Sequence, residues 1–448
     1  MTLFREIMLV LLCGVLSASF SGVIAGMETP APSDAPALTL TVAEISLVKL
    51  EPRMGVALVV SPDWSRWAYV KQAGDQFAVV VDGQAGRLYD LIGEGSLVFS
   101  PDSTHVAYCG QTVDKCAIVL DGVEGKQYDG AISPVFSPDS SRTAYAARVG
   151  DKWLVVADNT EGKQYDSVGQ LTFSPDSKHI AYVAQSGDKS FAVLDGVEKE
   201  QYDSIGSLIF TPDSQNVAYF AQEGKNHFIV APGVDIAWYE AAGGLTFSPD
   251  GKHMAYFAMK EGKWFSVLDG LESTKYDGIE SPLFSPDSTR FMYAALSGDK
   301  WVAVVDGTEW KKYDDVAGLV FSPDSQHAAF FARSGSKKYV VKNGEEGKQY
   351  DDIGSMAFKF GPDAKRLAVN YDVISTRGVG LVFSPDSKHL AYLARVGWNW
   401  VVVVDGAETG KYTDWVASAR LHCNSATQVH AMMLRNDEVF SVEVNIGE

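Results

Sequence analysis

The chain has 448 residues, 46% of them hydrophobic and 21% charged, with a formal net charge of −19. This is the composition of a folded globular chain, long enough for two or three average domains or one large repeat array. The acidic balance argues against nucleic acid or an anionic membrane surface as the main partner, and leaves room for a cationic one.

The N-terminus reads MTLFREIMLVLLCGVLSASFSGVIAG. Arg5 supplies a thin positive start, Ile7 to Ala25 an apolar run, and Val23 and Ala25 the residues of a cleavage site. Residues 1–26 are therefore read as a signal peptide, with an uncleaved anchor as the alternative because the run nears spanning length. Residues 27–37, METPAPSDAPA, form a Pro/Ala-rich linker. The expected destination is periplasmic or extracellular, an oxidising setting.

From residue 38 onward the chain repeats itself. Pro-Asp pairs begin at Pro62, Pro101, Pro138, Pro175, Pro212, Pro249, Pro286, Pro323, Pro362 and Pro385, and every step from Pro101 to Pro323 is 37 residues. Such a period signals stacked structural units. In one unit, QLTFS alternates as a strand, and SPDS is a type I turn with Pro175 presetting φ. HIAYVAQ follows as a second strand, SGDK turns, and SFAVLD is a third strand. Asp195-Gly196 turns again, and QYDSI is read as a short fourth strand. Both faces of these strands are apolar, so each sheet needs a cover on each side. Stacked four-stranded sheets closing into a β-propeller satisfy that need. The fold expected is all-β, with about ten units plus one truncated unit, GPDAKRLAVN at Pro362, that runs directly into YDVISTRG.

The string F-S-P-D-[S/G]-x-x-x-A-[Y/F], followed by a strand and Asp-Gly, resembles the WD40-like (PD40) repeats of TolB-type β-propellers. The resemblance covers roughly residues 54–445 and implies that LTFS is the innermost strand and QYDS the outermost. It says little about function, because propellers host many roles.

The ends fit together on paper. Residues 419–444 read as a further unit of only three strands, with Asn424 and Ser425 where Pro-Asp would stand. The segment Leu38 to Pro52 is expected to supply its missing outer strand, which removes exposed edges.

The chemistry-bearing residues mostly belong to the repeat. The Asp of each SPDS shapes its turn. Five of the eight histidines share the position four past Pro, too far apart to share one metal ion. His422, Cys423 and His430 lie together in the last unit, but no fourth ligand is indicated, so no metal site is assigned. There is no G-x-S-x-G elbow, H-E-x-x-H or phosphate-binding glycine loop, and no cofactor is expected.

The sequence reading is thus an exported, non-catalytic binding scaffold with a protein or peptide partner. A propeller enzyme with a site in the central channel, or a membrane-tethered envelope protein, is the rival. Specificity should lie in rim residues that differ between units. The binding surface expected comprises Trp310 and Trp398, supported by Lys311 and Lys338. Cys109 and Cys116 flank a turn; a four-residue loop, Gln111 to Asp114, would set them face to face for a disulfide.

Overall fold

The computed structural model describes residues 38–49, 58–234, 237–354, 380–415, 421–436 and 438–447; the segments read as signal peptide and linker, and the truncated unit at Pro362, lie outside them. Among the described residues all regular structure is β, arranged in ten antiparallel sheets. We number these blades 1–10 from the sheet that starts at Val59. Blades 3, 4, 5, 7, 8 and 9 start at Gly130, Ser167, Ser204, Gly278, Asp315 and Asp352, and blade 10 at Asp414.

Blade 4 shows the pattern: Ser167–Phe173, Ile180–Ser186, Lys189–Leu194 and Val197–Glu198 pair in sequence order. Successive side chains of a strand point to opposite faces. Ile180, Tyr182 and Ala184 pack with Ala144 and Val155 of blade 3, whereas Ala181 and Ala192 pack with Tyr219 and Phe228 of blade 5. Equivalent clusters join every successive pair of blades. The last joins Met432 and Val439 of blade 10 to Leu58, Tyr69 and Val80 of blade 1. Blades 1–10 therefore form a closed ring, a β-propeller. Full burial of one such large apolar side chain stabilises by about 1.5–3 kcal/mol.

The first strands of successive blades touch one another, which makes them the inner wall. Most carry a bulge; in blade 4 it falls between Gly169 and Thr172, and Gln170 takes a positive φ of 47°. The hairpins between first and second strands, and between third and fourth, lie on one rim. The hairpins between second and third strands share the opposite rim with the blade-to-blade connections.

The ring closes through the N-terminal segment. Thr39–Lys49 pairs antiparallel with Glu438–Gly447, Leu40 opposite Ile446 and Val42 opposite Val444, as the outer strand of blade 10. Glu44 accepts hydrogen bonds from Tyr412 Oη (2.6 Å) and from the Arg435 guanidinium (2.7 and 2.9 Å). Glu161 likewise accepts Tyr128 Oη (2.7 Å) between blades 2 and 3, its cation there being Lys126 of blade 2 (2.6 Å) where Glu44 has Arg435 of its own blade. The closing strand thus reproduces an ordinary blade junction.

Three sequence expectations need correction in detail. QYDSI is not one strand: Tyr202 pairs with Ser190 at the outer edge of blade 4, while Ser204 begins blade 5. Asp203 is the hinge between them. Its N–H donates to Gln222 O (3.0 Å), and its carboxylate accepts Lys189 Nζ (2.6 Å) and the Gly224 N–H (2.7 Å). Second, blade 9 does not take its inner strand from one continuous run as blade 4 does. The inner strand of blade 9 comes in two pieces, Asp352–Ile353 and Leu381–Phe383, both paired with Leu390–Val396. Third, the hairpin at Cys109 has a two-residue loop, Val113-Asp114, so Cys116 stands opposite Gln111 and Cys109 opposite Ile118. The two thiols are diagonal neighbours and free. Burial, then the neighbouring Cys116 thiol, pushes the Cys109 thiol up to about 12.

That tight loop puts Val113 at φ +55°, where blades 3, 4 and 5 have Gly150, Gly187 and Gly224. A β-branched residue is strained there. Val113→Gly should raise stability by about 1 kcal/mol, the left-handed penalty less the added chain entropy of glycine; urea melts of both proteins check the sign. Deleting residues 38–49 should lower the melting temperature and convert monomer to aggregate, because it bares Glu438–Gly447 as an edge. An unchanged melt and elution profile would show that the ring closes without that strand.

Candidate functional site

The repeated polar residues hold blades together. Ser174 Oγ donates to Asp176 Oδ1 (2.6 Å), which also accepts the Lys178 N–H (3.1 Å). These bonds, that of Ser174 foremost, hold the Asp176 carboxyl down to about 2. The Asp176 N–H then reaches Ser214 Oγ of blade 5 (3.1 Å). The same blade-to-blade bond runs from Asp63 to Ser103, Asp139 to Ser177 and, past the Pro362 unit, Asp324 to Ser387. It lapses between blades 5 and 6, where Gly251 has no hydroxyl.

The histidines are absorbed in the same way. His179 Nδ1 lies 2.6 Å from Asp195 Oδ2, and His253 and His389 match it with Asp269 and Asp405. Arg142 makes the equivalent bond to Asp158 (2.8 Å) and lies over the Phe173 ring of the next blade. His422 stands opposite His430 in register beside buried Cys423. Among the described residues no three His, Cys, Asp or Glu side chains group to hold a metal.

The residues expected to bind a partner fall in three blades. Trp398 sits at the hairpin tip of blade 9 and is 91% exposed. Trp310, on the outer strand Thr308–Tyr313 of blade 7, is half-buried against Phe330 of blade 8. Lys311 beside it donates to Glu346 of blade 8 at 2.6 Å. Lys338, on the third strand of blade 8, is turned inward and paired with Asp352 of blade 9. Trp398 alone stands well clear of the fold.

Lys338 leads to a group that the sequence reading missed. Blades 4 and 5 start their inner strands with Ser167 and Ser204, which hydrogen-bond Gln185 and Gln222. Blade 8 has Asp315 and Arg333 at those positions, with Oδ2 and Nη2 3.8 Å apart. Blade 9 has Asp352 and Arg395, 3.7 Å apart. Asp315 is buried and its Oδ1 has no hydrogen-bond partner. Two residues into the inner strand of blade 7 stands Glu280, where blades 4, 5 and 8 have Gly169, Gly206 and Ala317. Burial, then the charge of Asp315, pushes the Glu280 carboxyl up to about 7. Burial likewise raises Asp315, against the pull of Arg333.

The inner wall of blades 3–5 is different in kind. A cleft of about 610 Å³ is lined there by Ile132, Val168, Leu171 and Ile209, with Gln170 spanning two blades through a bond from the Leu208 N–H (2.9 Å).

No family model and no curated protein sequence matches the chain. Solved structures similar to it include one described as a eukaryotic initiation factor, with 12% identity, 78% of this chain and 95% of that chain covered, and a TM-score of 0.44. The β-propeller domain of the trilobed protease from Pyrococcus furiosus has 12% identity, covers 57% and 92%, and scores 0.31. TolB from Acinetobacter baumannii has 15% identity, covers 84% and 78%, and scores 0.28. These likenesses concern fold alone; the propeller rests on the ring of core contacts within this chain.

Glu280 gives the protein a pH signature. A carboxyl that titrates higher when folded than unfolded contributes nothing below its unfolded value of 4.5 and costs stability as pH rises from there to about 7. The cost at pH 8 is about 3 kcal/mol. Glu280→Gln should therefore melt close to the parent at pH 4.5 and clearly higher at pH 8. A gap that stays constant across that range would mean that Glu280 ionises normally.

Proposed function

We propose that this chain is an exported, non-catalytic propeller that captures a protein or peptide partner at its rim. The carrying observation is a division of labour among side chains. The Ser, Asp, His and Arg residues that recur in the blades are engaged in turn-shaping and blade-to-blade bonds. Among the residues that differ between blades, Trp398 is presented at a hairpin tip and stands 91% exposed where blades 3 and 4 carry Asp151 and Asp188. Exposed tryptophan on a rigid scaffold is a favoured anchor for protein interfaces, supplying large apolar area at low entropic cost. The acidic balance of the chain favours a partner with basic character. Export rests on the apolar N-terminal run and the cleavage pattern that follows it.

Trp398→Ala is the informative variant, because its side chain supports no core. Trp310→Ala is a poorer probe, since it vacates the contact with Phe330. Pull-down from envelope extract should recover a specific partner with the parent chain and at least fivefold less with Trp398→Ala, at an unchanged melting temperature. Equal recovery would remove Trp398 from the interface, and a lowered melting temperature would make it a packing residue.

A further inference from the structure

Blades 3 and 7 are near copies, GAISPVFSPDSSR at 130–142 and GIESPLFSPDSTR at 278–290. Most differences between these two stretches are conservative exchanges of apolar or small polar residues. One is not: Ile132 of blade 3 is matched by Glu280 of blade 7. The next blade changes with it, from Ser167 to Asp315. The fold can be built with an apolar residue and a serine at this junction, since it is built that way once already. Placing two carboxylates there instead costs desolvation and mutual repulsion.

The charges are only partly compensated from within: burial pushes the Asp315 carboxyl up and outweighs the pull of Arg333, the Val316 N–H and Lys338. Asp315 has a side chain only 3% exposed, and its nearest cation, Arg333, is 3.8 Å from Oδ2. Its Oδ1 is buried without a hydrogen-bond partner. Arg333 shares its donors with the carbonyls of Asp314 (3.4 Å) and Gly335 (3.5 Å). Lys338, in the same cross-strand row, is paired with Asp352 of blade 9. Glu280 is half-buried, so it is reached by solvent at the inner wall. The inner strands Gly278–Phe284 and Asp315–Phe321 touch, so two acids stand at one blade junction, with one buried oxygen left unsatisfied.

We propose that the inner wall between blades 7 and 8 binds a primary alkylammonium group, held between the carboxylates of Glu280 and Asp315. An ammonium suits the site better than the alternatives. Its three donors radiate from one compact atom and can serve carboxylates on two separate strands, whereas guanidinium is matched to one carboxylate presented edge-on. A calcium ion needs six to eight oxygens, and among the described residues no third acid joins these two. A lysine side chain and a free amine both carry such an ammonium; the chemistry recognised is the same. The inner-wall site shares no residue with the Trp398 rim, so each stands or falls alone.

Calorimetric titration of the full chain at pH 8 with cadaverine and with tetralysine tests this, using Glu280→Ile, which restores the blade 3 residue, and Asp315→Ser, which restores the blade 4 residue. At least one ligand should bind the parent, and each substitution should weaken it tenfold or more, while Glu345→Gln on the outer strand of blade 8 leaves it unchanged. Glu280→Ile should also melt higher than the parent, which separates loss of the site from loss of the fold. Binding of tetralysine alone identifies a side-chain source, and binding of cadaverine as well a free amine. The proposal is overturned if neither ligand binds, or if Glu345→Gln weakens binding as much as Glu280→Ile does. A higher melt for Glu280→Ile with no binding by the parent would also overturn it, reducing the two acids to a proton-sharing pair.

Discussion

Each sheet of this chain has two apolar faces, and each face is buried only by another sheet. The Ala-Tyr dipeptide of the second strand makes those faces complementary. Ala181 looks toward blade 5, where Tyr219 meets it, and Tyr182 looks back toward Ala144 of blade 3. A large residue on one face and a small one on the other give a head-to-tail contact, and such contacts either close into a ring or grow without end. Closure therefore decides whether the chain is a soluble particle or a sticky one. The ten blades among the described residues exceed the usual four to eight, and the circuit is completed where Met432 meets Tyr69.

Polar bonds set the angle and spacing that apolar packing leaves free. On one rim, the Pro-Asp turn donates its Asp N–H to a serine on the next blade. On the other, the Asp of Tyr-Asp holds the lysine of its own blade and the hairpin of the next. At the outer edge, tyrosine and lysine of one blade meet a glutamate of the next. These bonds sit at three separate corners of the junction, so a blade cannot tilt without breaking at least one of them. Most are exposed and individually weak; their value lies in geometry repeated around the ring.

Much of this was legible in the sequence, because a 37-residue period exposes strand, turn and face at once. The outer-strand role of the N-terminal segment was legible too, from a three-strand final unit and an orphan strand at the other end. What was not legible depended on single residues acting against type. Val113 occupies a left-handed position that glycine usually fills, so the hairpin at Cys109 looked longer than it is. Asp203 belongs to two blades, so the strand boundary was drawn through the wrong place. Lys338 looked like a surface cation because nothing local reveals Asp352, which lies in the next blade. Glu280 was visible in the comparison of the two duplicated stretches, but its meaning needed Asp315, which arrives from the neighbouring blade.

A repeat protein carries its own control experiment. Each position in a blade is tried several times under nearly the same packing, so the residue that packing wants is known from the other copies. At the third residue of the inner strand it wants something small or apolar, as Gly169, Gly206, Ala317 and Ile132 show. Glu280 departs from that choice toward a half-buried charge, and Asp315 departs beside it toward a fully buried one. Each departure is unfavourable alone, and together they are worse, since like charges in a poorly solvated site repel strongly. Selection for stability removes such pairs readily, as an apolar substitute is already present in a sister blade. Their presence is explained if the energy they cost is recovered when a cation binds between the two carboxylates.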